Sequence, residues 1–169
     1  MMTNFNKAKT SADEILRENY ITKPPIPVYE LVKNYGYDVI ESELPPDIAG
    51  LVDIKKHIIF VNKLDTNTRK VFTVAHELGH IKLHSSELEK DPNLGVLYRR
   101  PLGRNNTDTK EQEANYFAAS LLVPETMYDE VVKKYRDVLP ENKIDLLSAL
   151  FGVSPEVMGY RINHFNLNK

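Results

Sequence analysis

Residues 76 to 80 read His-Glu-Leu-Gly-His, and this pentapeptide constrains the fold more than any other part of the chain. On an α-helix, positions four apart differ by about 40° around the axis and about 6 Å along it. Two imidazoles so placed converge on one point, which suits a metal ion. Glu77, about 100° round from His76, is angled away from that point but can reach a water held beside it. Two histidines are too few for a stable site, so a second element must carry a third donor to this helix. The chain has no cysteine, which leaves His, Asp and Glu as the available donors for a transition metal.

The pattern around the motif is helical. Val71, Val74, Ala75 and Leu78 give a buried stripe to a helix over about 68–83, with Asp65 or Thr66 as its cap. Gly79 is an unfavourable choice inside a helix, by about 1 kcal/mol relative to Ala. Close approach of another backbone or a substrate would account for it. Upstream, Ser11 and Glu14 have the spacing of a capping box, so a first helix is expected from about Ser11. Val28, Leu31, Val32 and Tyr35 predict a second, with Pro27 at its start and Gly36 at its stop. Residues 37–41, 48–53 and 57–62 read as short strands, the last two as a possible hairpin. The 57–62 strand, HIIFVN, is either interior or an edge able to pair with an extended substrate. Residues 85–109 contain Pro92, Gly95, Pro101 and Gly103 and read as a long functional loop. Further helices are expected over about 110–122 and 124–135, and two more over 144–165, separated at Gly152.

The third donor is not fixed by spacing. His84 extends the series but lies about 12 Å along the axis from His76, out of reach of a shared ion. The longer zinc motif with a third histidine fails, because Leu83 stands where glycine is needed and Ser86 where the histidine is needed. The helix over 110–122 offers Glu111 and Glu113, which both flank its apolar stripe, so periodicity does not choose between them. With zinc in place, bound water has a pKa of about 7, and Glu77 is suited to take its proton and pass it to a leaving amine. His84, Tyr98, Arg99, Arg100 and Tyr116 are candidates to stabilise an oxyanion.

At 169 residues, 41% hydrophobic and 27% charged, the chain has the make-up of a globular protein with one domain and a small appendage. A net charge of −2 gives no bulk attraction to nucleic acid or to membranes. No apolar run marks an export signal or a span, so a cytoplasmic location is expected. The C-terminal stretch is helix-turn-helix-like, with Ser154 and Pro155 opening its last helix. From Glu141 onward, Lys143, Arg161 and Lys169 balance Glu141, Asp145 and Glu156, and Glu156 sits where a DNA phosphate would have to approach. Protein packing or docking, without direct nucleic-acid binding, is the expectation for this tail.

HELGHIKLH, followed by EANYFAASLLVP at 113–124, resembles the ImmA/IrrE family of bacterial metallopeptidases. IAGLVD, HIIFVN, TRKVFTVAHELGH and the earlier VYELVKNYGYDV are similar to that family too, so the resemblance covers about residues 26–165. It implies an α+β, zincin-like fold, with a small mixed sheet backed by helices and the helix-turn-helix-like segment at the C-terminus. The expected division is a metallopeptidase domain over 1–136 and a helical segment over 137–169 packed on it. The resemblance implies Zn²⁺ on His76, His80 and Glu113, Glu113 being the residue that heads the Glu-Ala-Asn block, with Glu77 as catalytic base. In the thermolysin pattern an Asp four residues after the Glu ligand orients a histidine; Phe117 stands there, so that partner must come from elsewhere. The implied activity is site-specific cleavage of a helix-turn-helix repressor, docked on the 85–109 loop and the tail. The other reading is a zincin-fold regulator or partner-binding module that cleaves little or nothing.

Overall fold

A computed structural model describes residues 4–88, 96–99, 108–137, 139–140 and 143–167. In chain order the elements are α1 (Phe5–Glu18), α2 (Val28–Asn34), β1 (Asp38–Ser42), β2 (Gly50–Asp53), β3 (Ile58–Asn62), α3 (Asn67–Leu88), β4 (Val96–Arg99), α4 (Thr109–Leu122), α5 (Glu125–Lys134), α6 (Ile144–Phe151) and α7 (Pro155–Leu167). The α+β class, with a small mixed sheet and surrounding helices, is the one expected. None of the described helices is long and apolar enough to cross a membrane.

Helix α1 begins earlier than the Ser11 capping box suggested. Asn4 is its cap, accepting from the Lys7 amide at 3.0 Å, and Ala8, Ala12, Ile15 and Leu16 form one buried face. This face packs on α4. Helix α2 follows the expected pattern, burying Val28, Leu31 and Val32 and stopping before Gly36, whose φ of +80° favours glycine.

The sheet order is β1-β3-β2-β4. Strands β2 and β3 form the antiparallel hairpin read from the sequence, while β1 runs parallel to β3 and β4 antiparallel to β2. The HIIFVN strand is therefore interior, flanked on both sides, and is not the edge at which a substrate strand would add. Asn62 closes its end: its buried side-chain amide donates to the carbonyls of Leu44, Pro45 and Ile48, fastening the proline-containing connection from β1 to β2. Strand β4 lies inside the stretch read as a loop, and α3 extends into it as far as Leu88. Residues 89–95 and 100–107 of that stretch, with Arg100, lie outside the described residues.

Helix α3 packs against both the sheet and α4. A Cβ added at Gly79 would lie 2.9 Å from Phe117 Cδ1 and 3.2 Å from Ala114 Cα, so the glycine is there because α4 passes against it. Val74, Ala75 and Leu78 from α3 and Phe117, Ala118 and Leu121 from α4 are all fully buried. Leu147 and Phe151 of α6 and Met158 and Phe165 of α7 belong to the same apolar core. Arg161 ties α7 to the end of α4, its Nε donating to the Val123 carbonyl at 3.1 Å.

Candidate metal centre

The α3–α4 packing puts three histidines of one helix opposite two glutamates of the other. His76 and His80 are almost wholly buried, and their Nε2 atoms lie 3.0 Å apart. The Glu111 carboxylate faces both, with Oε2 3.3 Å from His76 Nε2 and Oε1 3.0 Å from His80 Nε2. Among the described residues this trio is the group able to offer three donors to one ion. Burial alone would raise the Glu111 carboxyl, but its contacts with the two imidazoles outweigh that and hold it well below the usual carboxylate range. It stands ready as an anionic donor at neutral pH.

The donor set fits zinc. Ligand atoms about 2.0–2.1 Å from a tetrahedral ion lie roughly 3.3 Å from one another. Here the two Nε2 atoms are 3.0 Å apart, and each ring has one oxygen of the Glu111 carboxylate at 3.0–3.3 Å, Oε2 for His76 and Oε1 for His80. Two imidazole nitrogens and a carboxylate oxygen are also the ligand chemistry of a zinc site with an open fourth position. His76 is oriented for this role: its Nδ1 lies 2.9 Å from Asn115 Oδ1, an oxygen that only accepts, so Nδ1 donates there and Nε2 is the nitrogen turned to the cluster.

The structure places Glu113, the ligand the resemblance implies, beside His84 and not between His76 and His80. That residue heads the block on which the resemblance rests, yet its side chain is directed to the outer side of the cluster. Glu113 Oε2 is 3.6 Å from His84 Nε2, and Oε1 accepts the Asn4 amide at 2.6 Å, joining α1 to the centre. Residues 111 and 113 are about 200° apart on a helix, so they cannot present carboxylates to the same point. With Glu111 as the facing carboxylate, the residue four positions later is Asn115, not Phe117, and it holds His76. The spacing of a carboxylate and a carboxamide by four was the available sign of this pair, and the sequence reading missed it.

Glu77 is 1% exposed and lies within the same buried helical turn as the two histidines. Of the candidates for oxyanion stabilisation, His84 is buried beside His80, with ring centroids 5.5 Å apart. Burial lowers its pKa, with the nearby His80 acting in the same direction. The Tyr116 hydroxyl lies 2.9 Å from His164 Nε2. Tyr98 and Arg99 fall in β4, where only the backbone is described.

A family model for the IrrE N-terminal-like domain, peptidase M78, matches residues 32–163. No curated protein sequence matches the chain. Among solved structures, a Mycobacterium tuberculosis transcriptional regulator is similar, with a TM-score of 0.65 at 21% identity over 92% of this chain. The alignment takes in 46% of that regulator, so the chain spans less than half its length, and the likeness is one of fold. The family model covers the sheet, α3 and α4, the elements that assemble the histidine–carboxylate cluster, and bears out the resemblance read from the motifs: the chain belongs to the IrrE N-terminal-like family of M78 metallopeptidases.

Proposed function

We propose that the chain is a zinc-dependent endopeptidase with His76, His80 and Glu111 as ligands and Glu77 as general base. The observation that carries this reading is the convergence of both Nε2 atoms and the Glu111 carboxylate on one point, next to a buried glutamate that metal binding alone does not need. When bound, zinc supplies Lewis-acid activation of water and of a peptide carbonyl. Glu77 takes the proton from the attacking water and delivers it to the amine nitrogen as the C–N bond breaks. Asn115 holds His76 with Nε2 turned to the cluster. Low solvent exposure around the histidines strengthens each of these electrostatic contacts.

The proposed substrate is a helix-turn-helix repressor, cut at one or a few bonds, with the resemblance to the ImmA/IrrE family as its support. The compartment proposed for the reaction is the cytoplasm. Selectivity would come from docking of the folded repressor, since remote contacts can supply the energy that positions a scissile bond. The test is co-expression with a repressor encoded beside this chain, comparing wild type with Glu77→Gln. Discrete repressor fragments should appear only with intact Glu77. A repressor that stays whole while an unrelated unfolded protein is degraded would point to a housekeeping peptidase, and no proteolysis of either would favour a non-cleaving regulator.

A further inference from the structure

We propose that Tyr116 is a positioning residue for the proposed zinc centre, and that His164 and Arg161 of α7 form a proton-sensitive clasp that holds it. The inference rests on the zinc-peptidase reading above. Asn115, which holds His76, and Tyr116 are successive residues of α4, about 100° apart around its axis. Asn115 meets α3, whereas Tyr116 meets α7: its hydroxyl lies 2.9 Å from His164 Nε2. The buried Tyr116 ring also packs on Phe5 of α1, with centroids 4.8 Å apart, and has the Arg161 guanidinium 5.9 Å from its centre. Arg161 makes a second hold on α4, its Nε donating to the Val123 carbonyl at the C-cap. The two holds are two helical turns apart, about 10 Å along the axis. Held at both places, α4 can neither turn nor pivot, as it could on either alone. The turn matters, because Glu111 and Asn115 share the side that meets α3, and a rotation of α4 would carry both away from His76 and His80.

The hold at Tyr116 depends on the charge of His164. A neutral imidazole offers the phenol hydroxyl an acceptor, and a protonated one offers only donors. The groups that face the His164 ring come from four helices: Lys9 of α1, Tyr116 of α4, Glu125 of α5 and Arg161 of its own α7. Burial and then the positive charge of Arg161 push the His164 pKa down; Glu125 pulls the other way, Lys9 adds to the lowering, and the balance lies below the ordinary histidine value. A histidine lowered in this way takes up a proton more readily once the clasp is open. The clasp is therefore at full strength above about pH 6.5 and weakens as the pH falls below that value. The half-buried ring is within reach of solvent, so the proton has a way in. The effect reaches the metal through α4: a looser clasp lets Asn115 and Glu111 drift from the histidines, and zinc is held less tightly.

The test measures zinc affinity by chelator competition at about pH 7.5 and about pH 5.5, on either side of the ordinary histidine value. The proteins are wild type, His164→Gln, His164→Ala and Tyr116→Phe, each checked for folding by thermal melting, and the His164 ring is titrated by NMR. Proton competition for His76 and His80 is common to all of them, so the ratio between proteins isolates His164. Glutamine keeps a hydrogen bond to Tyr116 without titrating. At about pH 7.5, His164→Gln should hold zinc within about 2-fold of wild type, while His164→Ala and Tyr116→Phe bind it about 3- to 10-fold more weakly, a smaller loss than that of a direct partner of a ligand. At about pH 5.5, wild type should fall about 3- to 10-fold behind His164→Gln, with no such added loss in Tyr116→Phe. The wild-type His164 ring should titrate below about 6.5, and closer to that value in Tyr116→Phe. A ratio of wild type to His164→Gln that is the same at both pH values, or a ring that titrates at or above about 6.5, would overturn the clasp and leave the zinc centre standing. Absence of zinc binding from every protein at neutral pH would overturn the centre and the positioning role with it, while the ring titration still decides the clasp.

Discussion

Glu111 and Glu113 lie two positions apart on α4 and serve different histidines, a distinction with measurable consequences. Glu111→Ala removes one of three proposed zinc donors and should weaken zinc binding by more than about 100-fold in a chelator competition titration, a larger loss than outer partners of metal ligands give. Glu113→Ala should leave zinc binding far closer to wild type, because its contacts are His84 and the Asn4 amide. Asn115→Ala falls between them, at roughly 10- to 100-fold, since it frees the His76 ring without removing a donor. Glu77→Gln should retain zinc and lose hydrolysis. A titration in which Glu113→Ala is the more damaging would restore the motif-based assignment. At this scale the meeting of the two imidazoles was legible, because helix geometry alone brings positions 76 and 80 together. The carboxylate that faces them was not, because the side of α4 that meets α3 is decided by tertiary packing.

The α3–α4 contact is the element on which the centre depends. Gly79 permits it, and Gly79→Ala sets two effects against each other. Alanine gains about 1 kcal/mol in helix propensity. The added Cβ would stand 2.9 Å from Phe117 and 3.2 Å from the α4 backbone, and overpacking of this kind typically costs about 1–3 kcal/mol. The backbone contact cannot be relieved by a side-chain rotation, so net destabilisation is expected in urea unfolding, with a loss of zinc affinity as α4 shifts. An increase in stability would mean that the two helices do not approach so closely. The unusual glycine in the helical pattern signalled this contact before the structure did. Other elements were harder to read. The parallel pairing of β1 with β3 depends on a non-local crossover that leaves no local sign, which is why HIIFVN looked equally suited to an edge. Strand β4 has four residues, too short for its alternation to stand out in a stretch rich in proline and glycine. The start of α1 was placed late because Ser11 imitates a cap, whereas Asn4 performs that role.

Across the whole molecule, the proposed zinc site links helices that also share the hydrophobic core, so metal occupancy should register as global stability. At free zinc 100-fold above its dissociation constant, binding adds about 2.7 kcal/mol. For a domain of this size that corresponds to roughly 5–10 °C in melting temperature, and a chelator should remove it from wild type but not from His80→Ala. Helix α7 turns Met158, Arg161 and Phe165 inward, and its first turn carries exposed Glu156. A gel shift at moderate salt against the DNA flanking its gene should accordingly give no discrete complex; one that survives competitor DNA would assign the tail to DNA recognition. The two helices of the tail were visible in their periodicity and at Gly152, whose φ of +67° ends α6. Its place against the metal-binding helices was not, because that depends on which apolar faces meet in three dimensions. The central claim is a metal held by His76, His80 and Glu111, and anomalous diffraction at the zinc edge from crystals of zinc-loaded protein tests it most directly. The account predicts one strong peak within coordination distance of both Nε2 atoms and a Glu111 carboxylate oxygen; a peak at Glu113 and His84 instead, or none in protein shown to be saturated with zinc, would contradict it.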